Sequence, residues 1–131
     1  MSELVAGIRG HAETRVCQEN TAEALGSGAL PVFATPSMIA LMEMASQLSV
    51  QPYLEPGQGT VGVHLDVSHL AATPIGMDVR AEAELLEVDR RMLTFRVEAW
   101  AGDEKIGEGT HRRCIVYNER FMEKALAKRK A

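Results

Sequence analysis

The sequence contains little of what marks a nucleic-acid-binding, membrane-spanning or secreted protein. Its 14 Lys and Arg are outnumbered by 18 Asp and Glu, and the resulting net charge of -4 argues against the basic footprint of a nucleic-acid binder. No apolar run approaches the roughly 18 residues that would predict a membrane span. The N-terminal "MSELVAGIRG" lacks a basic segment followed by an apolar run, so we expect no signal peptide.

Cysteines are also scarce. Cys17 and Cys114 are the only two in the 131 residues, which is too few for a disulfide framework. The sequence contains no CxxC motif and no Cys/His cluster, so it predicts no metal site and implies no redox cofactor. A reduced cytoplasmic protein is the expectation.

Charge is nearly absent from one long segment. Between Glu23 and Glu55 the only acidic or basic residue is Glu43. A carboxylate in apolar surroundings is costly to bury unless it has partners or a raised pKa. Such carboxylates collect at functional sites, so Glu43 is a candidate general base or nucleophile. The alternative is a surface position or a structural hydrogen bond to a loop.

A long helix is predicted around Glu43, from about Pro36 to Tyr53. Thr35 is placed to cap it, and Pro36 suits its first turn. Apolar residues recur at helical spacing and also lie on the other faces, which indicates a helix buried in a core or wrapped by a sheet. The residues at helical spacing are Met38, Leu41, Met42, Ala45 and Leu48.

The rest of the chain alternates with a period of two, as strands do. A first strand is predicted within residues 7–16, and a loop with a short helical piece follows over 17–32. Later strands are predicted at 60–69, 79–88, 92–101 and 105–117, and a short exposed helix at 118–131. Four consecutive strands suggest an antiparallel meander, and one sheet with one apolar helix suggests a single domain, residues 1–131, in which the sheet curls round the helix. Gly107 and Gly109 share a strand face, which suggests that something packs very close there.

His69 continues the apolar alternation of one strand. By parity it shares a face with Val61, Val63, Leu65 and Val67, so it is expected to point toward the helix and Glu43. A histidine on an apolar face can instead be a structural core residue. A β-bulge in the strand would reverse the parity.

Three stretches resemble a known family. They are "VFATPSMIALMEMA", "PYLEPGQGTVGVHLDVSHLAATPIGMDV" and "IGEGTHRRCIV", within residues 31–117. Together with the His-x-Ala-x-Thr-Pro-x-Gly string of residues 69–76, they are similar to the fluoroacetyl-CoA thioesterase-like branch of the hot-dog thioesterases. The resemblance implies an α+β hot-dog fold, an antiparallel sheet wrapped around a long central helix, and hydrolysis of an acyl-CoA.

The resemblance also implies a set of site residues. In that family a Thr before the helix, a Glu on it and a His at the end of the next strand carry catalysis, and they match Thr35, Glu43 and His69. A Gly on that strand helps to bind the thioester oxygen and matches Gly62, while an Arg near the site matches Arg113. Phe33, in the same stretch as Thr35, is the remaining candidate substrate-binding residue.

Two of these roles have competing interpretations. Thr35 is either a nucleophile or a group that positions water, and its cap position alone would explain its hydroxyl. Thr35 and Glu43 are roughly 12 Å apart along a helix axis, so the site would be completed by His69 or by a second subunit. Hot-dog thioesterases are generally dimers, which implies a homodimer or a dimer of dimers. Arg113 could instead pair with a structural carboxylate such as Glu108 or Asp66.

One departure from the family concerns the substrate. Fluoroacetate-specific members carry aromatic lid residues before the "VFAT" stretch, whereas Phe33 is the first aromatic residue here. We therefore expect hydrolysis of a short- or medium-chain acyl-CoA without preference for the fluorinated acetyl group. The alternative is a non-catalytic acyl-CoA-binding or regulatory module on the same fold, and a hydratase is a weaker option because no hydratase motif is present.

Overall fold

The computed structural model describes residues 3–130, and five strands form one antiparallel sheet in the order β1-β3-β4-β5-β2. Met1, Ser2 and Ala131, which belong to the predicted single domain, lie outside the described residues. The elements are β1 Arg9–Arg15, α1 Ala22–Leu25, α2 Thr35–Val50, β2 Gln58–His69, β3 Asp78–Asp89, β4 Met92–Ala101, β5 Glu104–Tyr117 and α3 Asn118–Ala127. The predicted antiparallel sheet around a long helix is confirmed.

Helix α2 is shorter than predicted at its C-terminal end. It stops at Val50, and Gln51–Tyr53 continues as one 3-10 turn. Pro52 lacks the N–H that the next α-helical hydrogen bond needs, which explains the change. At the other end Ala34, not Thr35, is the N-cap residue, and no side chain caps the helix. The predicted capping role of Thr35 was therefore wrong, and its hydroxyl is free for another partner.

The core lies between α2 and the inner face of the sheet. Helix α2 packs mainly against β1 and β3, and the approach is so close that a Cβ on Gly10 of β1 would lie 2.5 Å from the carbonyl oxygen of Ala45. Alternate residues of β3 and β4 are buried against it, as predicted for β4: Val79, Ala81, Ala83, Leu85, Leu93, Phe95, Val97 and Ala99.

The helix is not covered on all sides. Leu48 was predicted to lie in the buried stripe, but it is 52% exposed, and Met44 is 49% exposed. Both lie on the side of α2 that faces away from β1 and β3. An apolar helix face is thus left uncovered in the single chain.

The order of the strands corrects the predicted meander. Only β3, β4 and β5 are joined as a meander, because β1 occupies the free edge of β3 and β2 pairs with β5 at the opposite edge. Residues 70–77 carry the chain from β2 across the end of the sheet to β3, and an antiparallel bridge between Val32 and Pro74 holds this connection. The tight turn between β4 and β5 uses Gly102, whose φ of 60° favours glycine.

Strand β2 contains a β-bulge at Val63, between Gly62 and His64. Beyond the bulge, His69 lies opposite Gly107, whose missing Cβ leaves room for Met38 of α2. Residues directly opposite in an antiparallel pair share a face, so His69 points to the helix side as predicted.

Before the bulge the parity is reversed. Thr60 and Gly62 lie opposite Ile115 and Arg113 on the inner side, so Val61 belongs to the outer side. The predicted common face of Val61 and His69 was therefore wrong, because the extra residue of the bulge switches the faces. As a result, the candidate site residues Gly62 and His69 lie on the same, inner side of the sheet.

The predicted C-terminal helix is confirmed for α3, whose side chains are all exposed over Asn118–Ala127. Within residues 3–130 no helix is long and apolar enough to cross a membrane.

Candidate active site

The first part of the site is a contact between a threonine and a histidine. Thr35 begins α2 and His69 ends β2, and the Thr35 Oγ1 lies 2.7 Å from the His69 Nδ1. This is a short hydrogen bond for such a pair. Two of the three predicted catalytic residues, 34 positions apart in the chain, are brought together by the fold.

The environment of His69 keeps its imidazole neutral. Burial of the ring lowers the pKa of His69 below the usual 6.5, because desolvation disfavours the imidazolium form. The Ala71 backbone acts weakly in the opposite direction on this pKa, but the buried Nε2 makes no hydrogen bond of normal geometry within the described residues. A neutral ring can accept a proton at neutral pH, as a general base must.

A cavity of about 370 Å³ opens beside this pair. Besides Thr35 and His69 its lining is mostly small or aliphatic, including Ala22, Val32, Ala71 and Ala72. Phe33 also lines it, although its side chain is only 1% exposed and belongs mainly to the core.

The second part of the site surrounds Glu43. The carboxylate lies directly against Gly62 of β2, where a Cβ would collide with the Glu43 Oε2. The Arg113 Nη1 is 3.5 Å from the same oxygen, and the side chain of Glu43 remains 37% exposed. The lone charge of the helix is therefore paired and still reachable from outside.

Arg113 is buried and held on several sides. Its Nε donates to the Thr60 Oγ1 at 2.8 Å, and its Nη2 donates to the Thr60 carbonyl oxygen at 2.9 Å. Its carboxylate partner is Glu43, not Glu108 or Asp66, which lie on the outer side of the sheet. Burial lowers the pKa of Arg113, and the charge of Glu43 opposes that effect.

His111 was not predicted as a site residue. It is fully buried on β5, and its Nε2 lies 3.1 Å from the Arg113 Nη1 and 3.9 Å from the Glu43 Oε2. The sequence signal was its position on the strand face that also carries Gly107, Gly109 and Arg113. Thr60 was missed because the bulge conceals its inward orientation.

The two parts of the site are separate within one chain. Gly62 and His69 are about 20 Å apart along β2, and no hydrogen bond within residues 3–130 joins the Thr35–His69 pair to Glu43. In the same residues, no group of three His, Cys, Asp or Glu side chains is placed to hold a metal.

Comparisons with known proteins identify the family of the chain. The profile of the fluoroacetyl-CoA-specific thioesterase (FlK) family matches residues 16–119. A fluoroacetyl-CoA thioesterase of Streptantibioticus cattleyicolor is 46% identical over 97 residues, which cover 74% of this chain and 70% of that protein.

Solved structures give the same result. A variant of fluoroacetyl-CoA-specific thioesterase FlK, in which a phenylalanine is replaced by alanine, has a TM-score of 0.91 and 38% identity, covering 98% of this chain and 99% of that chain. A thioesterase superfamily member of Thermus thermophilus has a TM-score of 0.86 and 30% identity, covering 98% and 94%. The chain therefore belongs to the fluoroacetyl-CoA-specific thioesterase family, and it is a thioester hydrolase with the hot-dog fold.

Proposed function

We propose that the protein hydrolyses a short- or medium-chain acyl-CoA to the free acid and CoA, with Thr35, Glu43 and His69 as its catalytic residues. The observation that carries the proposal is the 2.7 Å contact between the Thr35 Oγ1 and the His69 Nδ1 beside an open cavity. A structure of the FlK variant in complex with fluoroacetate and CoA, 40% identical to this chain, supports CoA as part of the substrate.

His69 has the chemistry of a general base. Its neutral Nδ1 takes the proton of the Thr35 hydroxyl, or of a water molecule that this hydroxyl positions. Attack on the thioester carbonyl forms the new C–O bond, and the C–S bond then breaks. The CoA sulfur leaves as a thiol with the proton that the base has taken up. Where water attacks, this step yields the free acid. Where the Thr35 oxygen attacks, it yields an acyl ester of Thr35, and a water molecule then hydrolyses that ester, with His69 taking the water proton and passing it to the Thr35 oxygen, so that the free acid leaves and the hydroxyl is restored.

Glu43 and Gly62 support the same step from the second part of the site. The carboxylate is a second base for the attacking water, and Arg113 holds its charge in place. Backbone N–H groups around Gly62 are proposed to stabilise the oxyanion that develops when the thioester carbonyl is attacked, a role that suits main-chain donors. Phe33 lines the inner end of the acyl cavity.

The acyl cavity is the basis for the substrate prediction. Small residues line its wall and the segment before Phe33 carries no aromatic side chain, so space remains for a chain longer than acetyl. We expect thiol release from at least one acyl-CoA between acetyl and octanoyl. The kcat/KM ratio of fluoroacetyl- to acetyl-CoA should stay below about tenfold, since no aromatic residue precedes Phe33 to act as the lid of the fluoroacetate-specific members.

The measurement is release of free CoA thiol across that panel, with His69→Ala as the background control. A strong preference for fluoroacetyl-CoA would contradict the substrate assignment. Binding of acyl-CoA without turnover across the whole panel would instead favour the non-catalytic module.

A homodimer is the second part of the proposal. Strand β2 is an edge strand with Val63 52% exposed and Leu65 38% exposed, and α2 leaves Met44 and Leu48 uncovered. Exposed apolar edge strands invite pairing with another chain, and a second copy would cover both surfaces. A two-fold pairing there would also bring Glu43 of the partner subunit toward the Thr35–His69 pair. A cytoplasmic location stays a prediction from the sequence.

The dimer is tested by sedimentation at micromolar concentration. The unchanged chain should sediment as a dimer or a dimer of dimers, and Val63→Lys should weaken association at least about tenfold because a lysine disfavours pairing at a strand edge. Val88→Lys, at a 37% exposed position on β3, is the matched control and should leave association unchanged. A stable monomer of the unchanged chain would contradict the proposal.

A further inference from the structure

The protonation state of His111 follows from its two hydrogen-bond partners. Its Nδ1 lies 2.9 Å from the His64 carbonyl oxygen, which can only accept, so Nδ1 carries the proton. Its Nε2 lies 3.1 Å from the Arg113 Nη1, and a guanidinium can only donate, so Nε2 is the acceptor. The ring is thus a neutral imidazole of one defined tautomer.

The surroundings of His111 agree with a neutral ring. Burial lowers the pKa of His111, and the positive charge of Arg113 acts in the same direction, against the opposing effects of the His64 carbonyl and Glu43. The charged or titratable groups that face it are Glu43 from α2, His64 from β2 and Arg113 from β5. Strand β4 contributes the uncharged ring of Phe95, stacked at a centroid distance of 6.2 Å.

His111 completes the set of hydrogen bonds that orient Arg113. Thr60 holds Nε and Nη2, while Nη1 is shared between the His111 Nε2 and the Glu43 Oε2. The Glu43 contact is the longest of these, at 3.5 Å, and the carboxylate sits at the end of a flexible side chain. The imidazole is therefore the nearer of the two groups that hold Nη1, the nitrogen that Arg113 presents to Glu43.

The β-bulge makes this arrangement possible. Val63 has no partner in the register, and the strand then resumes with His64 opposite Arg112. The bulge lies between Gly62, against which the Glu43 carboxylate packs, and His64, whose carbonyl oxygen accepts the hydrogen bond from the His111 Nδ1–H. The same bulge thus positions the backbone for both the Glu43 contact and the His111 hydrogen bond.

We propose that His111 is a positioning residue for hydrolysis: as a neutral acceptor it holds Arg113 against Glu43 and thereby fixes the carboxylate beside Gly62. The kinetic part of the inference rests on the proposed function, because it requires Glu43 to act in the reaction. Protonation of His111 would remove the acceptor and place two donors against each other, so the arrangement is lost in acid.

Two variants separate the acceptor from the rest of the side chain. His111→Gln can place an acceptor near the position of Nε2, whereas His111→Asn reaches the His64 carbonyl but is too short for Arg113. His111→Asn should lower kcat about ten- to a hundredfold, the scale of a small misplacement of a reacting group, and His111→Gln should stay within about threefold of the unchanged protein. Should His111→Asn not fold, His111→Phe keeps a ring against Phe95 without an acceptor and makes the same comparison.

The decisive comparison uses the Glu43→Gln background. Because His111 acts through Glu43, adding His111→Asn there should cause no further loss of kcat. Equal losses in both backgrounds, or a His111→Gln variant as slow as His111→Asn, would overturn the proposal.

A stability measurement tests the arrangement without any substrate. A histidine whose folded-state pKa is lowered contributes stability that is present above its unfolded value of 6.5 and is lost as pH falls through the folded value. His111→Gln cannot be protonated, so its melting temperature should fall less between pH 7 and pH 5 than that of the unchanged protein, while His69 contributes equally to both. If the melting temperatures of His111→Gln and of the unchanged protein fall equally between pH 7 and pH 5, the assignment of His111 as a neutral acceptor is overturned. This result is independent of whether the protein hydrolyses acyl-CoA.

Discussion

Replacing His69 by alanine or Glu43 by glutamine should each lower kcat by about 100- to 10,000-fold, the usual contribution of a positioned acid–base group. His69 holds the Thr35 hydroxyl at 2.7 Å, and Glu43 is the paired but accessible carboxylate beside Gly62. Because both act on the same step, the double variant should be little slower than the slower single variant.

Melting temperatures distinguish this result from a structural role. A core histidine or a structural glutamate would lower stability and leave kcat per folded molecule nearly unchanged. His11→Ala, at an exposed position on β1, is the matched control and should change neither quantity. Near-normal kcat in His69→Ala would remove His69 from the mechanism, and fully multiplicative losses in the double variant would show that the two residues act independently.

Gly62→Ala should lower kcat by about ten- to a hundredfold with little loss of stability. The added Cβ would collide with the Glu43 Oε2 and lie 3.1 Å from the His111 Cε1. The Glu43 carboxylate can move away because it ends a flexible side chain, so the fold should tolerate the change. The carboxylate would then no longer lie beside β2, where it is proposed to act as a base.

Kinetics and thermal melting of the same sample test this expectation. Gly28→Ala is the control, since its Cβ would meet only the Ala22 Cβ, at 3.2 Å. A large fall in melting temperature with unchanged kcat per folded molecule would mean that Gly62 is needed for packing and not for the position of Glu43.

Periodicity predicted most of the fold. The alternation of apolar residues in β4 identified its buried face, and the lone charge of α2 made Glu43 a candidate site residue, because burial and charge leave a direct trace in the sequence. Gly107 also predicted a close approach, and Met38 of α2 makes it.

Features that depend on pairing partners could not be predicted in the same way. The bulge at Val63 is set by the register between β2 and β5, so the inward faces of Thr60 and Gly62 were concealed. The edge position of β2 depends on β1 taking the free edge of β3. Thr35 was predicted to cap the helix because a threonine just before a helix is often the N-cap residue. Its actual partner, His69, is distant in sequence and could not be predicted from local spacing.

In the proposed enzyme the two separate parts of the site form one catalytic unit across a dimer. Mixed dimers of His69→Ala and Glu43→Gln subunits, isolated with two different affinity tags, test this directly. If Glu43 of one subunit serves His69 of the other, each mixed dimer contains one intact site and one doubly altered site, and its kcat should be about half that of the unchanged dimer. If mixed dimers are as inactive as the parent variants, both residues serve one site within a single subunit, and the proposed shared site is contradicted.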